Sequence, residues 1–396
     1  MIRLAVATKA VYRYRRPEPW CWDVVVKAVC DVKSAGLDAD HAVTQAGPAV
    51  SAHADRIAVA LDLRTGPVSA LTLALAGMGD VRALPALRSL ARDRPLSYDH
   101  LHARILAALP AAELLPVVLP GLRQEQEPES ESEQYGASTS LLELLAVMGP
   151  AAAPAVPEVV RCLDTPGAYD ALRVLGRIGP AAAGTANRLA DFATGRAPRA
   201  DRRHPRLAAW AHWRVTGDPT LALDVCGAAV RSGTAGHGLP FLADLGPLAA
   251  AHADAVRGLT QSPGAWTRVA AAHAYWRITG DPEPAVPVLL AEVDPAWAGH
   301  PAMPVQEAVR HLGEIGAPAA AAAPLLGWIL AQEERLGHPF QRIRILVDAA
   351  YVRTLTEALE RIAPGAGGSV RAPSKELVRL PAPARRRIFA FGRRSV

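Results

Sequence analysis

Cysteine is scarce in this chain: Cys21, Cys30, Cys162 and Cys226 are the only four in 396 residues, and none shares a C-x-x-C spacing. That excludes a zinc ribbon or a disulfide framework as the organising device and favours free thiols in a reducing compartment. Aromatic residues make up only 5%, so Ala, Leu and Val must supply the core. Ala and Leu lose little side-chain entropy in a helix, which favours closely packed helices. No run reaches the roughly 18 uninterrupted apolar residues of a membrane helix. The most apolar stretch, 318–331, is short and carries a second proline. The N-terminus places Arg3 and Lys9 within its apolar run and has no clear cleavage site, so it makes a poor signal peptide. A cytoplasmic protein is expected.

Motifs of chemistry are missing too. There is no G-x-x-x-x-G-K-[ST] phosphate loop, no G-x-S-x-G elbow and no glycine fingerprint between a strand and a helix. Twelve histidines are scattered, the closest clusters being His41/His53, His100/His102 and His252/Asp254. None has the H-E-x-x-H form, and no His-Glu dipeptide occurs. No catalytic residue, cofactor or metal ligand is therefore assigned, and the chain reads as a non-enzyme.

Charge is unevenly placed. Residues 364–396 hold eight basic residues against the single acid Glu376, so that segment carries +7 of a net +5 and the remainder carries −2. The basic balance belongs to a Gly/Pro/Arg-rich tail, which includes Arg385, Arg386 and Arg387, and is expected to be mobile. It is poor support for a basic groove elsewhere. Residues 124–135 carry five acids and no base, and read as a solvated inserted loop.

What the chain has in abundance is a repeat. Ala211-His212-Trp213-Arg214-Val215-Thr216-Gly217-Asp218-Pro219 returns 63 residues later as Ala274-Tyr275-Trp276-Arg277-Ile278-Thr279-Gly280-Asp281-Pro282. Weaker copies align on Gly47, Gly79, Gly149, Gly179, Gly246 and Gly316, with Leu109 in a degenerate one. The spacing, 29 to 40 residues, suits stacked helical hairpins. Four residues before the turn stand Val43, Leu75, Ile105, Leu145, Leu175, Trp213, Leu242, Trp276 and Leu312, all apolar. Full burial of each would contribute roughly 1.5–3 kcal/mol and set the stacking register. Pro or Asp follows the turn, except at Ala317. Asp caps the next helix, and Pro is tolerated at its first position. A second apolar column (Ile57, Leu119, Val159, Leu189, Val256, Leu290, Leu326) lies ten residues after the turn, broken at Ser89 and Gly227. A longer helix is expected from about Phe340 to Arg361. The first helix would lack a preceding neighbour, leaving it open to another copy or a partner.

These columns, and above all Leu175-Gly176-Arg177-Ile178-Gly179-Pro180-Ala181-Ala182, Leu312-Gly313-Glu314-Ile315-Gly316 and the two Trp-Arg-x-Thr-Gly-Asp-Pro copies, resemble HEAT repeats. The closest resemblance is to the Ala/Pro-rich, bilin-lyase-like class common in bacteria. It implies an all-α fold, a right-handed α-solenoid of about ten antiparallel helix hairpins over residues 1–363. It also implies partner binding on the concave face or loops, which makes a non-enzymatic protein–protein scaffold the expected function. Two alternatives stand beside it: a nucleic-acid binder of the alkylation-repair glycosylase type, supported by the tail alone, and a chromophore-lyase-like enzyme.

Few side chains stand out as interaction candidates. Arg177, Arg214 and Arg277 end first helices, where they form either a ladder of Arg–Asp pairs or an anion-binding row. Trp297 lies in a Pro-rich linker and is expected to be exposed. Trp213 and Trp276 fit core packing better than a stacking platform, because they occupy a column otherwise filled by aliphatic residues.

Overall fold

The computed structural model describes residues 2–31, 35–63, 69–93, 103, 105–124, 141–196, 204–232 and 238–364. Most of the acidic loop and nearly all of the basic tail, including Arg385, Arg386 and Arg387, lie outside the described residues. Every element among those described is helical, and the one extended pairing is an isolated antiparallel bridge between Tyr14 and Glu334. One helical run, Leu141–Cys162, is long and apolar enough to cross a membrane. It changes from α to 3-10 geometry at Gly149, whose φ is +57°, so it is two segments of a hairpin.

All eight aligned turn glycines have positive φ, between 49° and 80°. A side chain would be strained there, which explains why the turn column is so nearly uniform. The turns fall into two kinds. Before Asp, Gly217 and Gly280 adopt the left-handed conformation and close their helices through N–H bonds to Trp213 O and Trp276 O, both 2.7 Å. The aspartate then holds the turn that leads into the second helical segment: Asp218 Oδ1 accepts from Thr220 N, at the start of Thr220–Arg231, and Asp281 Oδ1 from Glu283 N, two residues before Ala285–Ala291, both at 3.0 Å. Neither helix has the side-chain cap expected at its own N-cap residue. Before Pro, at Gly47, Gly149, Gly179 and Gly246, the chain enters a seven-residue 3-10 helix with Pro at its first turn. Proline loses nothing there, because its missing N–H would be unpaired anyway.

The first apolar column is the core. Val43, Leu75, Leu145, Leu175, Leu242 and Leu312 are wholly buried and Ile105 nearly so, whereas Trp213 and Trp276 are half-buried. In the second column Ile57, Val159, Leu189, Val256 and Leu326 are wholly buried. Its break at Gly227 has a packing reason: the His252 imidazole fills the space a side chain would take. The Leu175 helix (Ala168–Ile178) packs on Pro205–Thr216, Leu239–Leu245 on Ala265–Thr279, and Val305–Ile315 on Gln341–Ile362. Turn glycines meet the end of the next first helix. A Cβ on Gly149, Gly179, Gly246 or Gly316 would stand 3.7, 3.6, 3.4 or 3.6 Å from the carbonyl oxygen of Arg177, Arg214, Arg277 or Arg361.

The expected bare first helix is not bare. The Gln341–Ile362 helix has 22 residues, and its two halves do different things. The C-terminal half lies on Val305–Ile315, close enough that a Cβ on Gly313 would be 2.7 Å from Ala358 Cα. The N-terminal half lies on Leu37–Ala46, where Gln45 takes the Ile345 N–H on Oε1 (3.0 Å) and donates to Gln341 O (3.3 Å). The early and late parts of the described chain therefore pack on each other, and Glu334 and Arg335 reach the C-terminal end of Ile2–Arg13.

Candidate functional site

The three arginines expected at helix ends are exposed, but they do not form the Arg–Asp ladder. Among the described residues no carboxylate pairs with Arg177, Arg214 or Arg277. Each guanidinium instead lies over an indole: Arg177 over Trp210 at 5.9 Å, Arg214 over Trp213 at 5.7 Å and Arg277 over Trp276 at 5.9 Å. The cause is local for the last two. An arginine following a half-buried tryptophan at a helix end has the ring beside it and open solvent ahead. For Arg177 the ring comes from the next helix, and Arg214 Nε reaches back to Gly176 O at 3.4 Å. Cations over the faces of aromatic rings are attracted by the ring quadrupole while keeping N–H donors free outward.

Trp297 is buried, contrary to expectation. Its ring meets Tyr351 edge-on at 4.9 Å between centroids, and its Nε1 donates to His300 O at 3.0 Å. The linker folds back over the last hairpin, so Trp297 belongs to the core.

Sequence reasoning missed the place where early and late segments meet. Asp348, wholly buried, accepts from Arg15 Nε and Leu336 N on Oδ1 and from Arg335 on Oδ2, each at 3.1 Å. Arg15 also donates to Ile329 O (2.8 Å) and Arg335 to Val11 O (3.0 Å), so each arginine covers free carbonyls at the C-terminal end of the other's neighbouring helix. Two backbone bonds, Arg15 N to Glu333 O and Arg335 N to Arg13 O, both 2.8 Å, complete the seam. A cavity of about 890 Å³ opens beside it, lined in part by Thr8, Lys9, Tyr12 and Arg344. Its polar groups do not converge. Arg344 Nε is held by Leu336 O at 2.7 Å, and the Tyr12 hydroxyl donates to Asp38 O at 3.0 Å.

A second missed cluster joins His273 on Ala265–Thr279 to His311 and Glu314 on Val305–Ile315. The imidazoles stack at 3.6 Å and 16°. Glu314 Oε2 lies 2.8 Å from His273 Nε2 and 3.2 Å from His311 Nδ1, and Arg310 pairs with Oε1. Burial pushes His311 down to about 4. Burial alone would raise Glu314, but the two rings beside it and the Arg310 charge outweigh that and hold it well below the usual carboxylate range. The repeat offered a signal, because the residues sit at fixed offsets from their turn glycines, but only across two repeats. Of the histidines close in sequence, His252 packs over Gly227, His53 faces Asp23 at 3.3 Å, and His100 and His102 lie outside the described residues.

No family model and no curated protein matches the chain. Among solved structures, the crystal structure of an engineered protein is similar over 91% of this chain and 99% of its own, at 16% identity and a TM-score of 0.36.

Proposed function

We propose that the chain is a non-enzymatic interaction scaffold of a bacterial cytoplasm, a right-handed α-solenoid of about ten HEAT-like hairpins that holds an acidic segment of a partner protein. The observation that carries this reading is the set Arg177, Arg214 and Arg277 at the ends of three first helices. These are exposed cations without a carboxylate partner among the described residues, each resting on an indole. Arg and Trp are the residue types that dominate binding energy at protein interfaces, and a guanidinium takes a carboxylate through two parallel N–H bonds. The alternative partner is nucleic acid, with 364–396 as its basic contact.

Affinity capture with the full chain and with an R177E/R214E/R277E variant, each with and without nuclease and read by mass spectrometry, separates the two. The scaffold reading expects a protein retained by the wild type regardless of nuclease and lost by the variant. Recovery that vanishes with nuclease, and that the variant leaves unchanged, moves the assignment to nucleic acid and the tail.

A further inference from the structure

The cluster His273, His311 and Glu314 holds positions that recur in the repeat, and an earlier pair of repeats shows what those positions need for packing alone. Seven residues before Gly217 stands Trp210; five and two residues before Gly246 stand Phe241 and Asp244. Trp210 packs on Phe241 with ring centroids 5.5 Å apart and donates from Nε1 to Asp244 Oδ2 at 2.9 Å. The same offsets from Gly280 and Gly316 give His273, His311 and Glu314. One aromatic pair and one hydrogen bond therefore satisfy this contact, yet here it carries two imidazoles and a carboxylate.

We propose that His273 Nε2, His311 Nδ1 and Glu314 Oε2 bind one zinc-class divalent ion, with water in the fourth position. All three ligand atoms lie within 4.8 Å of one another. Tetrahedral coordination by two imidazoles and a carboxylate at metal distances of about 2.0–2.1 Å needs ligand separations of about 3.3 Å. Two of the three edges, 2.8 and 3.2 Å, are already close to that length. His273 Nε2 is buried and makes no hydrogen bond among the described residues, with Glu314 Oε2 2.8 Å away. The two rings stack face to face at 3.6 Å, so one of them turns about its side-chain bonds to bring both in-plane lone pairs onto one ion. Arg310 is the opposing charge, but it sits between Glu307 and Glu314 and engages the other oxygen of the latter. The acids outnumber it by one.

The test uses the untagged full chain, freed of metal by chelator, titrated with Zn²⁺ calorimetrically and with Co²⁺ by visible absorption. One equivalent of each ion should bind, and the cobalt bands should have the intensity of a four-coordinate site. Two variants keep the packing: E314Q, and H273W/H311F, which restores the residues of the earlier repeats. Each should bind at least tenfold more weakly while its circular dichroism remains helical. Absence of an equivalent of either ion on the wild type, or equal binding by both variants, overturns the proposal.

Discussion

Gly176 is glycine because of its neighbour. A Cβ at that position would overlap the Trp210 indole, which lies in the groove the glycine leaves. We expect Gly176→Ala to cost about 1–3 kcal/mol in a denaturant melt, the usual penalty for overpacking. A smaller ring in Trp210→Phe should return part of that loss in the double variant, so the two effects should fail to add; additive effects would mean the contact is absent. His311 gives a second residue-scale expectation. Its imidazole is held at about 4 in the folded chain, against about 6.5 when unfolded. Between those values the unfolded state binds more protons, so stability falls as pH drops from about 6.5 to 4, by up to about 3 kcal/mol. Glu314, whose carboxyl is depressed, loses its contribution in the same direction at lower pH still. His311→Phe should flatten the melting temperature across the upper window. A profile as steep as the wild type would remove His311 from the acid response.

At the scale of elements, the helices and turns were legible because their determinants are local. A glycine that must take positive φ, a cap or proline after it and an apolar residue four positions before it recur in one short window. The helix expected near Phe340 to Arg361 is found at Gln341–Ile362 for the same reason. The seam was not legible, since Arg15 and Asp348 are 333 positions apart and no periodicity relates them. The Arg–Asp ladder failed for a related reason: helix-end position favours a cation there, but the adjacent indole is a nearer partner than any acid. The seam itself is testable. Asp348 is a buried carboxylate between Arg15 and Arg335, whose side chains are only 9% and 6% exposed. Removing its charge leaves two buried cations without an acid, for which about 3–5 kcal/mol of destabilisation is expected. In Asp348→Asn the amides of Arg15 and Arg335, which bond across the seam, should exchange hydrogen faster than those of the Ala168–Ile178 helix. Uniform acceleration throughout the chain would show that Asp348 supports the whole fold and not the seam in particular.

The meeting of early and late segments changes how stability is shared over the whole molecule. In an open array each repeat touches only its neighbours, so terminal repeats fray and substitutions there barely move the main transition. Here Ile345 lies at the junction, 2% exposed, in the same apolar cluster as Val43 and Leu175, although it is carried by the last described helix. With the junction closed, the early and late described helices have neighbours on two sides and fraying is suppressed. Ile345→Ala and Leu175→Ala should then lower the midpoint of one cooperative melt by similar amounts, each about 2–5 kcal/mol for a large side chain truncated in a packed core. An open array gives a different result: Leu175→Ala shifts the main transition, while Ile345→Ala only broadens an early, shallow one. The comparison needs calorimetry with circular dichroism, because fraying appears as a calorimetric enthalpy that exceeds the van't Hoff value. Asp348→Asn links this test to the element scale. By opening the junction it should turn the Ile345→Ala response into that of a frayed end, while Leu175→Ala continues to act on the main transition.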